Sequence, residues 1–337
     1  MCSCDHEARH SEARAERKSA IVCGYNSFLA GARVSPQIRR MTDTRDDILP
    51  SHNPRLAMIL MICATAFIAA TTLLAKALGT EALGDPLHPV QITHARFLFA
   101  ALSLGTAALI LRPKFAAVDL KLHVMRTTCG AAGVTLMFAA AAFIPLADAT
   151  AISFLNPVFA MVFAIFLLGE KVGPIRWSAA GIALIGAVIL LRPGSGAIAP
   201  GALLALGAAL ILGLEITFIK RLSGREAPFQ ILLVNNAIGL VIATLAVLFV
   251  WEPPTAQQWF ALAGVGVLMA AAQTCFLNSV ARADASFVVP FSYGTLLFAA
   301  IYDAAIFGVI PTSVSLLGAG IIIAGAALLT WRQALAR

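Results

Sequence analysis

The sequence predicts an all-α, polytopic membrane protein: ten transmembrane helices arranged as two inverted five-helix repeats. Three observations predict it. First, the 337 residues are 60% hydrophobic and only 12% charged, against about 25% charged in a soluble domain. Such a chain cannot make a polar skin, which excludes soluble single-core, fibrous, disordered and disulfide-stapled classes. At about 20 apolar residues per spanning helix, the apolar content is enough for about ten spans. Second, basic residues fall on alternate breaks between the apolar runs. Third, short patterns recur at a nearly constant offset.

In chain order, residues 1–55 come first and carry dense, mixed charge without an apolar run of spanning length. Glu7, Glu12 and Glu16 precede any apolar stretch, so this is not a secretory signal. Cys2, Cys4, His6 and His10 are close together, but the cluster has no second half, and no metal site is expected from it. Met41 opens a short polar leader into the first apolar run, and residues 1–40 are expected to be dispensable. Cys63, Cys129 and Cys275 lie inside apolar runs and read as small buried hydrophobes.

The ten expected spans are 56–77, 89–111, 122–142, 147–168, 175–191, 200–219, 229–250, 257–279, 285–307 and 313–331. Pro, Gly or charge marks each break, as at Gly84-Asp85-Pro86, Arg112-Pro113-Lys114, Ile144-Pro145, Pro193-Gly194 and Pro253-Pro254. The spans are apolar all round, so periodicity does not orient them. They are rich in Ala and Gly, as in Gly130-x2-Gly133, Gly181-x4-Gly186 and Gly320-x4-Gly325, and small residues let helices approach closely in lipid.

Starting with the N-terminus inside, the inner flanks hold Arg45, Arg55, Arg112, Lys114, Lys121, Arg126, Lys171, Arg176, Lys220, Arg221, Arg225, Arg282, Arg332 and Arg337. The outer flanks hold Lys76 and Arg192, a bias of 14 to 2 that predicts both termini in the cytoplasm. All four tryptophans, Trp177, Trp251, Trp259 and Trp331, fall at span ends, where an aromatic belt belongs.

Pro89-Val90-Gln91 before span two matches Pro228-Phe229-Gln230 before span seven, and Gly181-x4-Gly186 matches Gly320-x4-Gly325, both at offset 139. Ala147-Asp148-Ala149 and Ala283-Asp284-Ala285 open spans four and nine at offset 136. A five-span duplication follows, over residues 56–192 and 193–332, and an odd number of spans inverts the second copy. Inverted repeats typify secondary transporters, which hold substrate near the midplane between the halves.

With this layout, Arg96 in span two, Asn156-Pro157 in span four and Gly169-Glu170 at its end resemble the drug/metabolite transporter superfamily, EamA type. The resemblance covers about residues 56–332. It implies a secondary active transporter of small metabolites in a bacterial inner membrane. One departure is that Gly308-Val309-Ile310-Pro311 stands where the second half of such proteins often carries Gly-Glu. The stretches LHPVQITHARF and VVPFSYGTLLFAAIYDAAIFG are similar to members of the family that import riboflavin, which makes riboflavin uptake the leading expectation. Export of amino acids, drugs or other metabolites is the alternative within the family.

An ionisable group inside a span costs about 2.5–3.5 kcal/mol on insertion scales and is a functional candidate by default. Arg96 lies seven residues into span two, about 10 Å from its start. Its planar fork suits an anionic or carbonyl-rich substrate, or it braces the bundle against carbonyls. Its counterpart at offset 139 is Asn235. Glu215, in span six, is the first candidate for proton coupling, followed by His94 and by Asp303, which is placed toward the outer water. Gln91, Asn156, Asn235, Asn236, Gln273 and Tyr293 complete the substrate-binding candidates, with helix-to-helix packing as the alternative for each. Asn278, Tyr302 and Phe291 are weaker ones, and Glu170 and Lys171 read as a cap at the membrane edge.

No H-E-x-x-H, P-loop or G-x-S-x-G pattern occurs. An enzyme is therefore not expected, nor a cofactor, a metal or a nucleic-acid partner. The expected partners are the bilayer, a small-molecule substrate and protons as coupling ion. A non-transporting receptor is the remaining class.

Overall fold

The computed structural model describes residues 53–113, 117–169, 172–191, 199–222, 228–283 and 288–335. The Cys2, Cys4, His6 and His10 cluster, Met41, Glu170, Lys171 and several counted flank charges lie outside them. The described residues are helical, without a strand. In order the helices are α1 (Pro54–Leu78), α2 (Pro89–Leu111), α3 (Leu120–Phe143), α4 (Leu146–Ser153), α5 (Asn156–Leu168), α6 (Pro174–Leu191), α7 (Pro200–Leu222), α8 (Pro228–Val247), α9 (Ala256–Val280), α10 (Gly294–Phe307) and α11 (Ser313–Leu335). A 3₁₀ segment, Val289–Tyr293, leads into α10.

Local chemistry sets the ends. Proline opens α1 and α2, where its missing N–H costs nothing. Asn53, His88 and Asp119 each accept a backbone N–H at the start of α1, α2 and α3. Thr255 and Gln258 form a reciprocal capping box at the start of α9. Gly169 closes α5 and Gly308 closes α10, both at φ 67°, the left-handed conformation that glycine takes without strain.

Eight of the described helices or helix pairs are long and apolar enough to cross a membrane, α4 and α5 counting together as Leu146–Leu168. Two further apolar segments follow, Phe291–Phe307 and Ser313–Leu328, the latter within α11. The surface is apolar as well: Phe166, Phe249 and Phe260 are 79%, 88% and 82% exposed. Exposure of that kind fits lipid and not water.

The interior is built on alanine and glycine. A cluster including Ala149, Ala179, Ala183, Ala187, Ala205 and Ile322 joins α4, α6, α7 and α11. The closest crossing is α6 on α11: a Cβ on Gly325 would stand 2.6 Å from the Ala183 nitrogen, and one on Gly186 2.7 Å from the Gly318 oxygen. Gly181 and Gly320, the other members of the repeated glycine pairs, face open space. α1 packs along α9, α3 along α7, and α2 between α8 and α9, while α10 lies on α1 and α4.

Three expectations change. Span four is not one helix: it breaks at Phe154–Leu155, and Asn156 and Pro157 open the second piece. Lys76 and Arg126, counted as flanking charges, are 7% and 6% exposed and belong to the interior. Asp303 does not face water, being 1% exposed. In the last two cases each charge faces a partner on another helix: Lys76 pairs with Asp303, and Arg126 faces Glu215.

Candidate functional site

A polar layer crosses the middle of the bundle where α2, α3, α7, α8 and α9 meet. α2 supplies Arg96, 6% exposed, with its guanidinium 4.7 Å from the centroid of the Phe97 ring. That ring presses on Gly239 of α8, where a Cβ would stand 2.3 Å from it. α3 supplies Arg126 and α7 supplies Glu215. Nε of Arg126 is 3.6 Å from Oε1 of Glu215, an ion pair too long to be a hydrogen bond. Gly130, one turn beyond Arg126, makes room for the carboxylate: a Cβ there would lie 2.9 Å from the Glu215 carboxyl carbon. Arg96 is within electrostatic reach of both.

One buried carboxylate thus faces one guanidinium as ion-pair partner, with a second within electrostatic reach. Arg96 Nε and Arg126 Nε and Nη1 are buried without a hydrogen-bond partner. A buried unsatisfied donor costs about 1–3 kcal/mol, more when charged, so the cluster holds unused capacity to donate.

Neutral groups extend the layer. Thr127 on α3 donates to Asn235 Oδ1 at 3.1 Å. Asn236 donates to the Leu232 carbonyl at 2.9 Å and to Gln273 Oε1 of α9 at 3.3 Å, and its own Oδ1 is buried without a partner. Thr135 donates to Thr93 at 2.9 Å, tying α3 to α2. The two interrupted helices meet nearby in the bundle: Phe154, at the break before α5, stands edge-on to Tyr293, at the break before α10, with ring centroids 5.3 Å apart. Asn156 opens α5 at that break, half-buried.

Asp303, Gln91 and His94 lie at the end of the bundle where α1 stops and α2 starts. Lys76 donates to Asp303 at 2.5 Å, and Leu146 N donates to the second carboxylate oxygen at 2.8 Å. Gln91 is buried, and both ends of its amide bond the Glu252 backbone, at 2.7 and 3.1 Å. His94 is edge-on to Trp251 at 6.4 Å. A cavity of about 260 Å³ opens at this end between Pro145, Asp148, Leu191, Ala202, Pro311 and Ser315, and it does not include the arginine cluster. Phe291 packs with Met61 and Val288, Tyr302 packs with Phe298, and Asn278 accepts from Arg282 at 2.6 Å. Glu215 and Asp303 therefore serve separate clusters.

Family comparison gives this geometry a context. The EamA-like transporter family matches residues 55–192 and again residues 199–331. The chain belongs to the EamA-like transporter family. A riboflavin transporter of Vibrio cholerae serotype O1 is 33% identical over 214 residues, 62% of this chain and 70% of that protein. An S-adenosylmethionine uptake transporter of Rickettsia bellii is 26% identical over 248 residues, 72% and 83% of the two chains. A protein of known crystal structure shares the fold at a TM-score of 0.54 and 22% identity, over 82% of this chain and 98% of that one.

This EamA-like transporter is thus a multi-pass integral membrane protein that carries a small molecule, rather than an enzyme. Among the described residues no group of His, Cys, Asp and Glu could hold a metal ion. Of the sequence-derived candidates, the fold brings together Arg96 and Glu215, joins Asn235 to α3 and Asn236 to Gln273, and sets Tyr293 against the other helix break. It commits Gln91 to the Glu252 backbone and pairs Asp303 with Lys76. Sequence reasoning misses Arg126 and Lys76. Each lies close enough to a span end to pass as a flank, and the one local signal for Arg126 is Gly130 on the same helix face, one turn away.

Proposed function

We propose that this EamA-like transporter takes up a small metabolite by alternating access, with riboflavin the leading substrate. In this reading it sits in a bacterial inner membrane, with both termini cytoplasmic. Ten spans form two inverted halves, residues 56–192 and 193–332, after a polar leader over 1–55. The observation that carries it is the Arg96, Arg126 and Glu215 cluster, in which α2 and α3 of one half face α7 of the other across a buried, incompletely satisfied polar layer. Secondary transporters hold their substrates at such a repeat interface.

Several features support the inverted repeat. Gly169 and Gly308, which are 139 apart, close α5 and α10 in the same left-handed conformation. Pro89 and Pro228, again 139 apart, open α2 and α8. The packing also answers itself: α1 on α9 corresponds to α7 on α3, and α5 on α7 to α10 on α1, while α6 with α11 and α2 with α8 are self-paired.

The substrate-contacting set is Arg96, Asn156, Asn235, Asn236, Gln273 and Tyr293, with Gln91 as a strut beside it. A flavin fits this set because its ring carbonyls can accept from a guanidinium fork and its aromatic face can stack. The similarity to a riboflavin transporter supports the same reading. A second reading, uptake of S-adenosylmethionine, is favoured by the Rickettsia bellii relative. Glu215 is the proton-coupling residue. Asp303, already paired with Lys76, and His94, beside Trp251, stand behind it.

Uptake of labelled riboflavin and labelled S-adenosylmethionine into proteoliposomes tests this. Wild-type protein is expected to accumulate riboflavin saturably, more strongly with an inward proton gradient. Arg96→Lys keeps the charge and loses the fork, and should raise the apparent KM about tenfold at unchanged abundance. Reduced abundance with an unchanged KM would make Arg96 a brace. Movement of S-adenosylmethionine alone would replace riboflavin with the second substrate.

A further inference from the structure

We infer that Arg126 is a second substrate-contacting residue, and that Arg96, Arg126 and Glu215 form a socket for a planar ligand edge bearing two acceptor oxygens. The edge is a carboxylate or a pair of ring carbonyls. Glu215 stands, in this conformation, where that edge arrives. The inference rests on the transporter reading above and names the chemistry its site selects.

The two buried ionic clusters among the described residues differ in a way that separates bracing from binding. Lys76 and Asp303 are closed: the ammonium donates at 2.5 Å, and the second carboxylate oxygen accepts from Leu146 N. A structural ion pair in a low dielectric needs this completeness, because attraction offsets desolvation only when the remaining hydrogen bonds are made. The Arg126 and Glu215 pair is open at 3.6 Å, and three guanidinium nitrogens, Arg96 Nε with Arg126 Nε and Nη1, donate to nothing. Both arginines are 94% buried by their 6% exposures, so water does not take up these donors freely.

Charge and shape narrow the ligand. Two cations to one anion leave an excess of one positive charge, which an anionic edge would neutralise and a cation would double. A guanidinium offers its donors in a flat fork that matches paired oxygens in one plane. Gly130 gives the Glu215 carboxyl group its place, since a Cβ there would stand 2.9 Å from the carboxyl carbon. A ligand edge that reaches the guanidiniums competes with Glu215 for them. Cys129 is also within electrostatic reach of Glu215.

Binding to the purified full-length protein in detergent, read as a ligand-induced shift of melting temperature, tests the socket. The probes are riboflavin for ring carbonyls, benzoate for a carboxylate, and tetraphenylphosphonium for a cation. Wild type should be stabilised by riboflavin or benzoate and not by tetraphenylphosphonium. Arg126→Lys should weaken the apparent Kd at least about tenfold, as loss of a charged hydrogen-bond pair predicts. Glu215→Gln removes the competing carboxylate and should tighten it. The socket is overturned if Arg126→Lys binds like wild type, if Glu215→Gln abolishes binding, if the cation binds best, or if neither acceptor probe binds. Should Arg126→Lys fail to fold, Glu215→Gln and the order of the probes still decide. Benzoate binding that depends on Arg126, with riboflavin inert, would sink the riboflavin reading and keep the socket. Riboflavin transport by Arg126→Lys with a wild-type KM would do the reverse.

Discussion

Asp303 has both carboxylate oxygens occupied, one by Lys76 at 2.5 Å and the other by Leu146 N at 2.8 Å, and it is 1% exposed. Three helices, α1, α4 and α10, converge on one side chain. Lys76 also lies 4.8 Å from the Phe307 ring centroid, so its charge is enclosed on two sides. Removing one partner of such a pair leaves a buried charge uncompensated, at a cost of about 3–5 kcal/mol. Asp303→Asn is therefore expected to lower melting temperature in detergent and membrane abundance sharply. Replacing both partners with apolar residues, Lys76→Met with Asp303→Leu, should recover most of the loss. Full stability of the single variant would show that the pair does not hold the three helices together. Glu215 is of the other kind, since the guanidiniums around it are left with donors to spare.

At the scale of elements, small residues decide which helices touch. A Cβ on Gly325 would press on the Ala183 backbone at 2.6 Å, whereas Gly320, five residues earlier on the same helix, has nothing within 4 Å. Gly325→Leu must move α11 off α6 and is expected to cost at least about 1–3 kcal/mol, the usual range for overpacking. Gly320→Leu should be tolerated. Equal abundance and equal melting temperature of the two variants would mean that α6 and α11 do not cross as described. Here the sequence is legible in part. The repeated glycine pairs mark the right two helices, because close packing in lipid demands small residues. They do not tell which glycine of each pair makes the contact, because helices that are apolar all round carry no periodic signal of facing. The same limit hides the break in span four: Pro157 shows in the sequence, but the residues that leave the helix are Phe154 and Leu155, one turn or less before it. Arg96 is legible because it stands alone in an apolar run. Arg126 is not, since Lys121 lies five residues away at the span end and no local pattern reveals that Glu215, 89 positions later, is its partner.

At the scale of the whole molecule, burial of Arg126 and Lys76 changes what the charge asymmetry means. Each reads in the sequence as a flank charge, one on either side, and neither acts on orientation from inside the bundle. The basic residues that remain in the breaks are still concentrated on alternate ones, with Arg112, Lys121, Arg176, Arg221 and Arg282 at one end of the described helices. Orientation follows Lys and Arg in short loops near span ends, and acidic residues contribute little. Both ends of the chain are therefore expected in the cytoplasm, with the Lys76 and Asp303 pair, Trp251 and the cavity beside Asp148 at the opposite face. Reporter fusions placed after Arg225 and after Arg337 should both read inside, and one after Trp251 should read outside. The fusion after Arg337 discriminates best. Of the last two apolar helices, the segment 291–307 is shorter than the eight clear spans, while α11 runs 23 residues over Ser313–Leu335. If both cross, the count is ten and the C-terminus is inside. If only one crosses, the C-terminus reads outside, the second half has an even number of spans, and the inverted repeat fails with it.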